Sequence, residues 1–125
     1  PLNPITKTNQ PTTIINMTMY NIAGHKYTAA FTTSGTSHIL VAGQAGKAIF
    51  VYEIIGSPSN ASTVSIKNGS TILDTQTLAA GQGVTWSNIA NLDSEPRFIC
   101  APGADLKMDV SVGTFTGGLV YAFRE

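Results

Sequence analysis

Charge is scarce in this sequence. Only 11% of its 125 residues are Asp, Glu, Lys or Arg, where an ordinary domain carries about a quarter. The two signs cancel, and Lys7, Lys26, Lys47, Lys67 and Lys107 are scattered along the chain. A nucleic-acid protein gathers such residues into a basic patch, so no nucleic-acid partner is expected. Cysteine occurs once, at Cys100, which excludes an internal disulfide framework. Beside Phe98 and Ile99 it reads as a small core hydrophobe. Histidine occurs twice, at His25 and His38, with no HExxH spacing and no cysteine cluster to make a metal site. No run approaches the length of a membrane-spanning helix, so no membrane partner is expected. The opening "PLNPITKTNQP" has no basic-then-apolar leader, and synthesis in a cytoplasm without a cleaved export signal is expected.

Helical periodicity is missing too. "DTQTLAAGQG" has room for one short turn at most. The chain is instead a series of β-branched and aromatic runs between turn residues. Strands are predicted over 13–20, 26–33, 37–42, 47–55, 63–67, 70–77, 83–87, 97–100, 106–112 and 118–123. "LKMDVSV" alternates cleanly, with Leu106, Met108, Val110 and Val112 inward. Asn68-Gly69 is expected to supply both positive-φ positions of a type I′ hairpin turn. Many short strands at this spacing indicate a β-sandwich or barrel over 14–125. Residues 1–13 hold Pro1, Pro4 and Pro11, which favour extended backbone. They are read as an N-terminal arm with Leu2 and Ile5 as its apolar anchors.

Segment 47–55 breaks the pattern of a half-exposed strand. Ile49, Val51 and Ile55 share one face with Glu53, while Ala48, Phe50, Tyr52 and Ile54 share the other. Two arrangements accommodate this. The strand lies between the core and a neighbouring subunit, or the sheet curves and a loop covers Phe50 and Tyr52. The low charge favours the first. Phe50 and Tyr52 are therefore candidate partner-binding residues, with Leu2 and Ile5.

Catalytic signals are weak. No nucleophile elbow or triad spacing is present. The acids Glu53, Asp74, Asp93, Glu95, Asp105, Asp109 and Glu125 read as strand faces and turns, with no pairing that marks a glycosidase or a calcium loop. Trp86 with Tyr20, Tyr27, Tyr52 and Tyr121 could line a sugar-binding face, but core and interface roles suit them better. The sequons at Asn16, Asn60 and Asn68 read as coincidence, and the glycines as turns. No enzyme activity and no cofactor are expected.

The order of segments carries a resemblance. "HILVAGQAGKAIFVYEII", "STVSIKNGSTIL", "LAAGQGVTW", "APGADLKMDVS" and "TGGLVYAF" follow one another between residues 37 and 123. This series resembles the small jelly-roll capsid decoration (cement) proteins of tailed bacteriophages. Residues 1–36 and the loop "SNIANLDSEPRF" fall outside it. The resemblance implies an all-β, jelly-roll-like antiparallel β-sandwich with an extended N-terminal arm. It further implies a non-enzymatic virion protein made in the host cytoplasm. Such a protein would sit as a homotrimer on the capsid exterior and bind the major capsid protein. The alternative is a phage fibre or tail module, or a lectin-like jelly roll, that binds cell-surface glycans.

Overall fold

Two strands are longer than any one apolar run suggests, and they organise the sheet. The computed structural model describes residues 26–88 and 95–125. The expected arm over 1–13 with Leu2 and Ile5, the strand expected over 13–20, and His25 lie outside these residues. The described chain is all-β, as the composition indicated. It forms seven strands: β1 (Tyr27–Val41), β2 (Ala48–Pro58), β3 (Ser62–Asn68), β4 (Thr71–Leu78), β5 (Val84–Ser87), β6 (Phe98–Cys100) and β7 (Leu106–Arg124). Every pairing is antiparallel. The strands make one curled sheet ordered β4-β3-β7-β2-β5, with β1 also on β7 and β6 also on β2.

β7 divides its length between partners. Leu106 to Val110 pair with β3, and Phe115 to Arg124 pair with β2. β1 follows its other side from Leu106 to Tyr121, with breaks in register at the bend. Sequence reading split each long strand in two, over 26–33 with 37–42 and over 106–112 with 118–123. The gaps are bends within continuous strands. Gly113 takes a φ of 69° between the two halves of β7. β1 bends opposite it through register shifts at Ser34, Gly35 and His38. Bulges of this kind increase local twist and curl a sheet.

The curl gives the sheet two halves around a single core. Val64, Ile66, Leu106, Met108 and Val110 come from the β4–β3–β7 half, and Ile49, Val51, Ile54, Trp86 and Leu119 from the β2–β5–β7 half. Burial of each such side chain contributes about 1.5–3 kcal/mol. Phe115 stands at the bend, fully buried. It stacks on Phe31 at 6.0 Å and meets Trp86 at 6.2 Å. Gly56 and Gly117 face each other across β2 and β7. A Cβ on Gly117 would strike the Ile55 carbonyl, and one on Gly56 would strike the Phe115 ring. The glycines let the two backbones and the ring approach.

Trp86 closes the open side of the curl. Its indole N–H donates to Asp74 Oδ2 at 2.7 Å, joining β5 to β4, the two ends of the strand path. Burial raises the Asp74 carboxyl pKa. Hydrogen bonds from Trp86, Gln76 and the Thr75 backbone, with the nearby Arg97 charge, outweigh it and hold the group below its ordinary value.

Three expectations need correction. The hairpin turn lies one residue later than expected. Asn68 pairs with Thr71, so the two-residue loop is Gly69-Ser70. Only the glycine has positive φ, at 61°, which is the pattern of a type II′ turn. Asn68 is thereby free to accept the Ala101 amide at 3.3 Å. Val112 does not face the core, because the alternation from Leu106 stops at the bend; it is 50% exposed. β2 does not keep one alternation either. A bulge between Val51 and Glu53 sets Tyr52 outside the register, which switches the parity of every later residue. Ile49 and Val51 point inward before it and Ile54 points inward after it, all fully buried, while Ile55 is turned out.

Candidate interaction face

The outward face of the β6–β2–β7–β1 half brings together apolar side chains from four strands, with Glu53 and Arg124 as charges beside them. Register places its side chains. Phe50 lies between Ile99 of β6 and Ala122 of β7. Farther along, Ile55 lies beside Gly118, and Gly118 beside Ala30 of β1. Ile55 and Ile99 are about half exposed. A shallow depression lined by Ala30, Ile55, Gly118 and Val120, with Glu53 at its side, runs along this face. Gly118 leaves its floor open because it has no side chain.

The sequence candidates are placed differently from one another. Phe50 is half-buried on this face, with the Arg124 guanidinium 5.9 Å from its ring centroid. Tyr52 is only 3% exposed. Lys26 lies over its ring at 4.4 Å, a cation–π contact within the chain. Leu2 and Ile5 lie outside the described residues. Sequence reasoning missed Ile99 and Ile55 as surface residues. The parity switch at Tyr52 was hidden, and Ile99 looked like part of a buried run.

The outward face of the other half is mixed: Ile39 and Ile72, 49% and 58% exposed, flank Lys107 and Lys67 in one row across β1, β7, β3 and β4, and polar side chains beside them bond to each other. Lys67 Nζ lies 3.4 Å from Asp109 Oδ2 and donates to Ser37 Oγ at 3.0 Å. The Ser37 amide donates to the Asp109 carboxylate. Ser37 is the one non-glycine described residue with positive φ, at 56°, an unfavourable state for an L-residue. Lys67 and Asp109 hold it there, at the bend of β1. Ser65 and Thr75 share a hydrogen bond at 3.0 Å, and the Thr63 amide donates to Ser111 Oγ at 2.8 Å.

Groups with chemical potential are used to hold the fold. Asp74 receives Trp86, Asp109 receives Ser37, and Asp105 receives the Gly43 amide at 2.7 Å. Cys100 is fully buried. Burial, then the Asp105 charge, pushes its thiol pKa up to about 11, so little thiolate exists near neutrality. Trp86 is 3% exposed and offers no platform to a sugar ring. Tyr27, Tyr121 and Phe123 form an aromatic group at one end of the sheet, with centroids 5.4–6.5 Å apart. Burial, then Tyr27, raises the Tyr121 phenol pKa. Among the described residues no group of three or more His, Cys, Asp or Glu could hold a metal ion. None of the described residues is helical, so no helix among them is long and apolar enough to cross a membrane. No protein-family model, curated protein or solved structure matches this chain.

Proposed function

We propose that this chain is a virion structural protein that cements the outside of an icosahedral phage head as a homotrimer. One observation carries the reading: the outward face of β6–β2–β7–β1 presents Phe50, Ile55 and Ile99 where a solitary domain would place charge. Three such faces turned toward a common axis would be hidden by closed symmetry. The resemblance of residues 37–123 to decoration proteins supplies the class of assembly and the major capsid protein as partner. In this reading the curled sheet is a jelly roll. The arm over 1–13 reaches a neighbouring subunit, where Leu2 and Ile5 fill shallow pockets beside added main-chain hydrogen bonds.

The test is sedimentation of the purified protein, alone and with capsids assembled from a tailed-phage major capsid protein without its decoration protein. A trimer that pellets with the capsids is expected. A monomer that stays in the supernatant would overturn the reading, and binding to a glycan array instead would favour a receptor-binding module. The arm is tested by deleting residues 1–11. The melting temperature should change by no more than a few degrees, while capsid binding weakens by about tenfold or more. Full binding by the shortened protein would remove the arm from the attachment.

A further inference from the structure

Of the asparagines in this chain, only Asn68 precedes a glycine. Such a pair reacts with itself. The nitrogen of the following residue attacks the asparagine Cγ, the bond from Cγ to the side-chain nitrogen breaks, and ammonia leaves behind a five-membered imide. Water then opens the ring at either carbonyl, giving aspartate or isoaspartate. One water is taken up and one ammonia is released, with no other reagent. Glycine favours the attack because no Cβ hinders the close approach. A hairpin tip is ordinarily solvated, but this one is covered by the 101–105 turn. The Gly69 amide donates to the Asp105 carbonyl at 2.8 Å. Asn68 Oδ1 accepts the Ala101 amide at 3.3 Å. Asn68 pairs with Thr71 on one side and with Leu106 on the other.

We propose that Asn68-Gly69 is a latent deamidation site, which the 101–105 turn holds unreactive until that turn opens. The attacking nitrogen must first lose the proton that it donates to the Asp105 carbonyl, and the anion so formed would face that oxygen. The carboxamide must leave the Ala101 amide. The peptide between Asn68 and Gly69 must rotate, which breaks its hydrogen bonds to both neighbours. The turn is itself clamped. Asp105 Oδ1 accepts the Gly43 amide at 2.7 Å, the Gly103 amide donates to the Lys47 carbonyl at 3.2 Å, and the Ala104 amide donates to the Ala101 carbonyl at 2.9 Å. Ala101, Pro102 and Gly103 are exposed. With no large side chain buried there, this turn belongs to the part of a fold that opens locally, ahead of the core. The reaction is one-way. A carboxylate replaces a neutral amide, which gives the formally neutral chain a negative charge. Isoaspartate also adds a carbon to the main chain, so the ladder to Thr71 and Leu106 no longer matches. The site therefore records each opening of this end of the sheet. Asn68 ends β3, away from Phe50 and Ile99, and the inference does not rest on the proposed assembly.

The experiment incubates the full chain at mildly alkaline pH, folded in buffer and unfolded in guanidinium. Peptide mass and chromatographic separation of isoaspartate follow the reaction at Asn68. In the unfolded chain Asn68 should react before any other asparagine. In the folded chain the reaction should be slower by roughly tenfold or more, and by the same factor at every protein concentration. Hydrogen exchange at the Gly69 amide of the folded wild type should be slowed by a comparable factor, because one opening frees both. This measurement needs no variant. D105A removes the clamp on Gly43 and should speed the reaction at temperatures where its melting curve shows it folded. D105N keeps an oxygen acceptor and should stay close to the wild type. A folded rate equal to the unfolded rate overturns the proposal, and so does a Gly69 amide that exchanges as in an unstructured chain. Slow reaction that a folded D105A leaves unchanged overturns the turn as the lock. Slowing that appears only as concentration rises overturns it in favour of protection by association.

Discussion

The two outward faces of this sheet share strands yet differ in how their polar groups are used. On the β4–β3–β7 half, Lys67, Asp109, Ser37, Ser65 and Thr75 bond to one another. Their polar groups meet water or each other, and nothing further is needed to satisfy them. On the β6–β2–β7–β1 half, Phe50, Ile55, Ile99, Ala30 and Gly118 offer water few polar partners. β7 runs through both halves, alternating Lys107 and Asp109 outward before the bend and Gly118 and Val120 outward after it. Gly113 separates the two stretches. Both halves expose isoleucines, Ile39 and Ile72 on the first and Ile55 and Ile99 on the second, and the proposed reading assigns the contact to the second.

The most damaging change to this arrangement is one at the bend, where both halves meet. Phe115→Ala removes the ring that touches Phe31 and Trp86 and covers Gly56. It should cost about 3–5 kcal/mol, as large-to-small changes of buried aromatics do. Chemical denaturation should show one transition shifted as a whole. Loss of only one half, seen as two separated transitions, would show that the halves are independent units. Next in size is Asp74→Ala, which leaves the buried Trp86 N–H unpaired and opens the closure between β4 and β5, at about 1–3 kcal/mol. The sign with pH follows from the lowered pKa of Asp74. Its stabilisation is complete above the ordinary carboxylate value of 3.8 and is lost as pH falls through the lower folded value. Asp74→Asn should flatten that part of the acid limb. An unchanged acid limb would remove Asp74 from the closure.

Much of this was legible because strands depend on local pattern. The β-branched runs, the alternation from Leu106 to Val110, the burial of Cys100 and Trp86, and the loop after Leu78 were all visible in sequence. What was hidden depends on pairing across the sheet. The parity of β2 turns on Tyr52 leaving the register opposite Tyr121, and no local signal marks that bulge. The continuity of β1 and β7 was masked by glycines that read as stops but act as bends. Of the candidate residues, Phe50 kept its place on an outward face, because it precedes the bulge. Ile99 and Ile55 came into view only when register showed which way they point.

The polar face allows a smaller test. Lys67→Ala removes the ion pair with Asp109 and the bond to Ser37, so that the bend of β1 loses one of its two supports. The pair is partly exposed, and the Ser37 amide still satisfies Asp109, so the expected cost is about 1 kcal/mol. Assembly should be unchanged, because the proposed contact lies on the other half. A Lys67→Ala protein that melts normally but associates poorly would reverse the assignment of the two faces.

The smallest effect on stability, and the sharpest test of the contrast, is expected from Ile99→Lys. Ile99 is 51% exposed on the three-residue strand β6, and its outward neighbour is Phe50. A lysine there meets water directly, and its aliphatic stem can still cover the Phe50 ring. Surface changes of this kind alter stability by within about 0.5 kcal/mol. In an assembly the same ammonium would be carried into an apolar contact without a partner, and burying an unpaired charge is strongly unfavourable. Association through this face should therefore weaken by roughly tenfold or more while the melting curve of the monomer is unchanged. Sedimentation of Ile99→Lys beside Lys67→Ala makes the comparison direct. The first should fold and fail to associate, and the second should associate and melt early. If Ile99→Lys retains the mass of the wild type across the concentration range, the apolar face is not the one that brings subunits together.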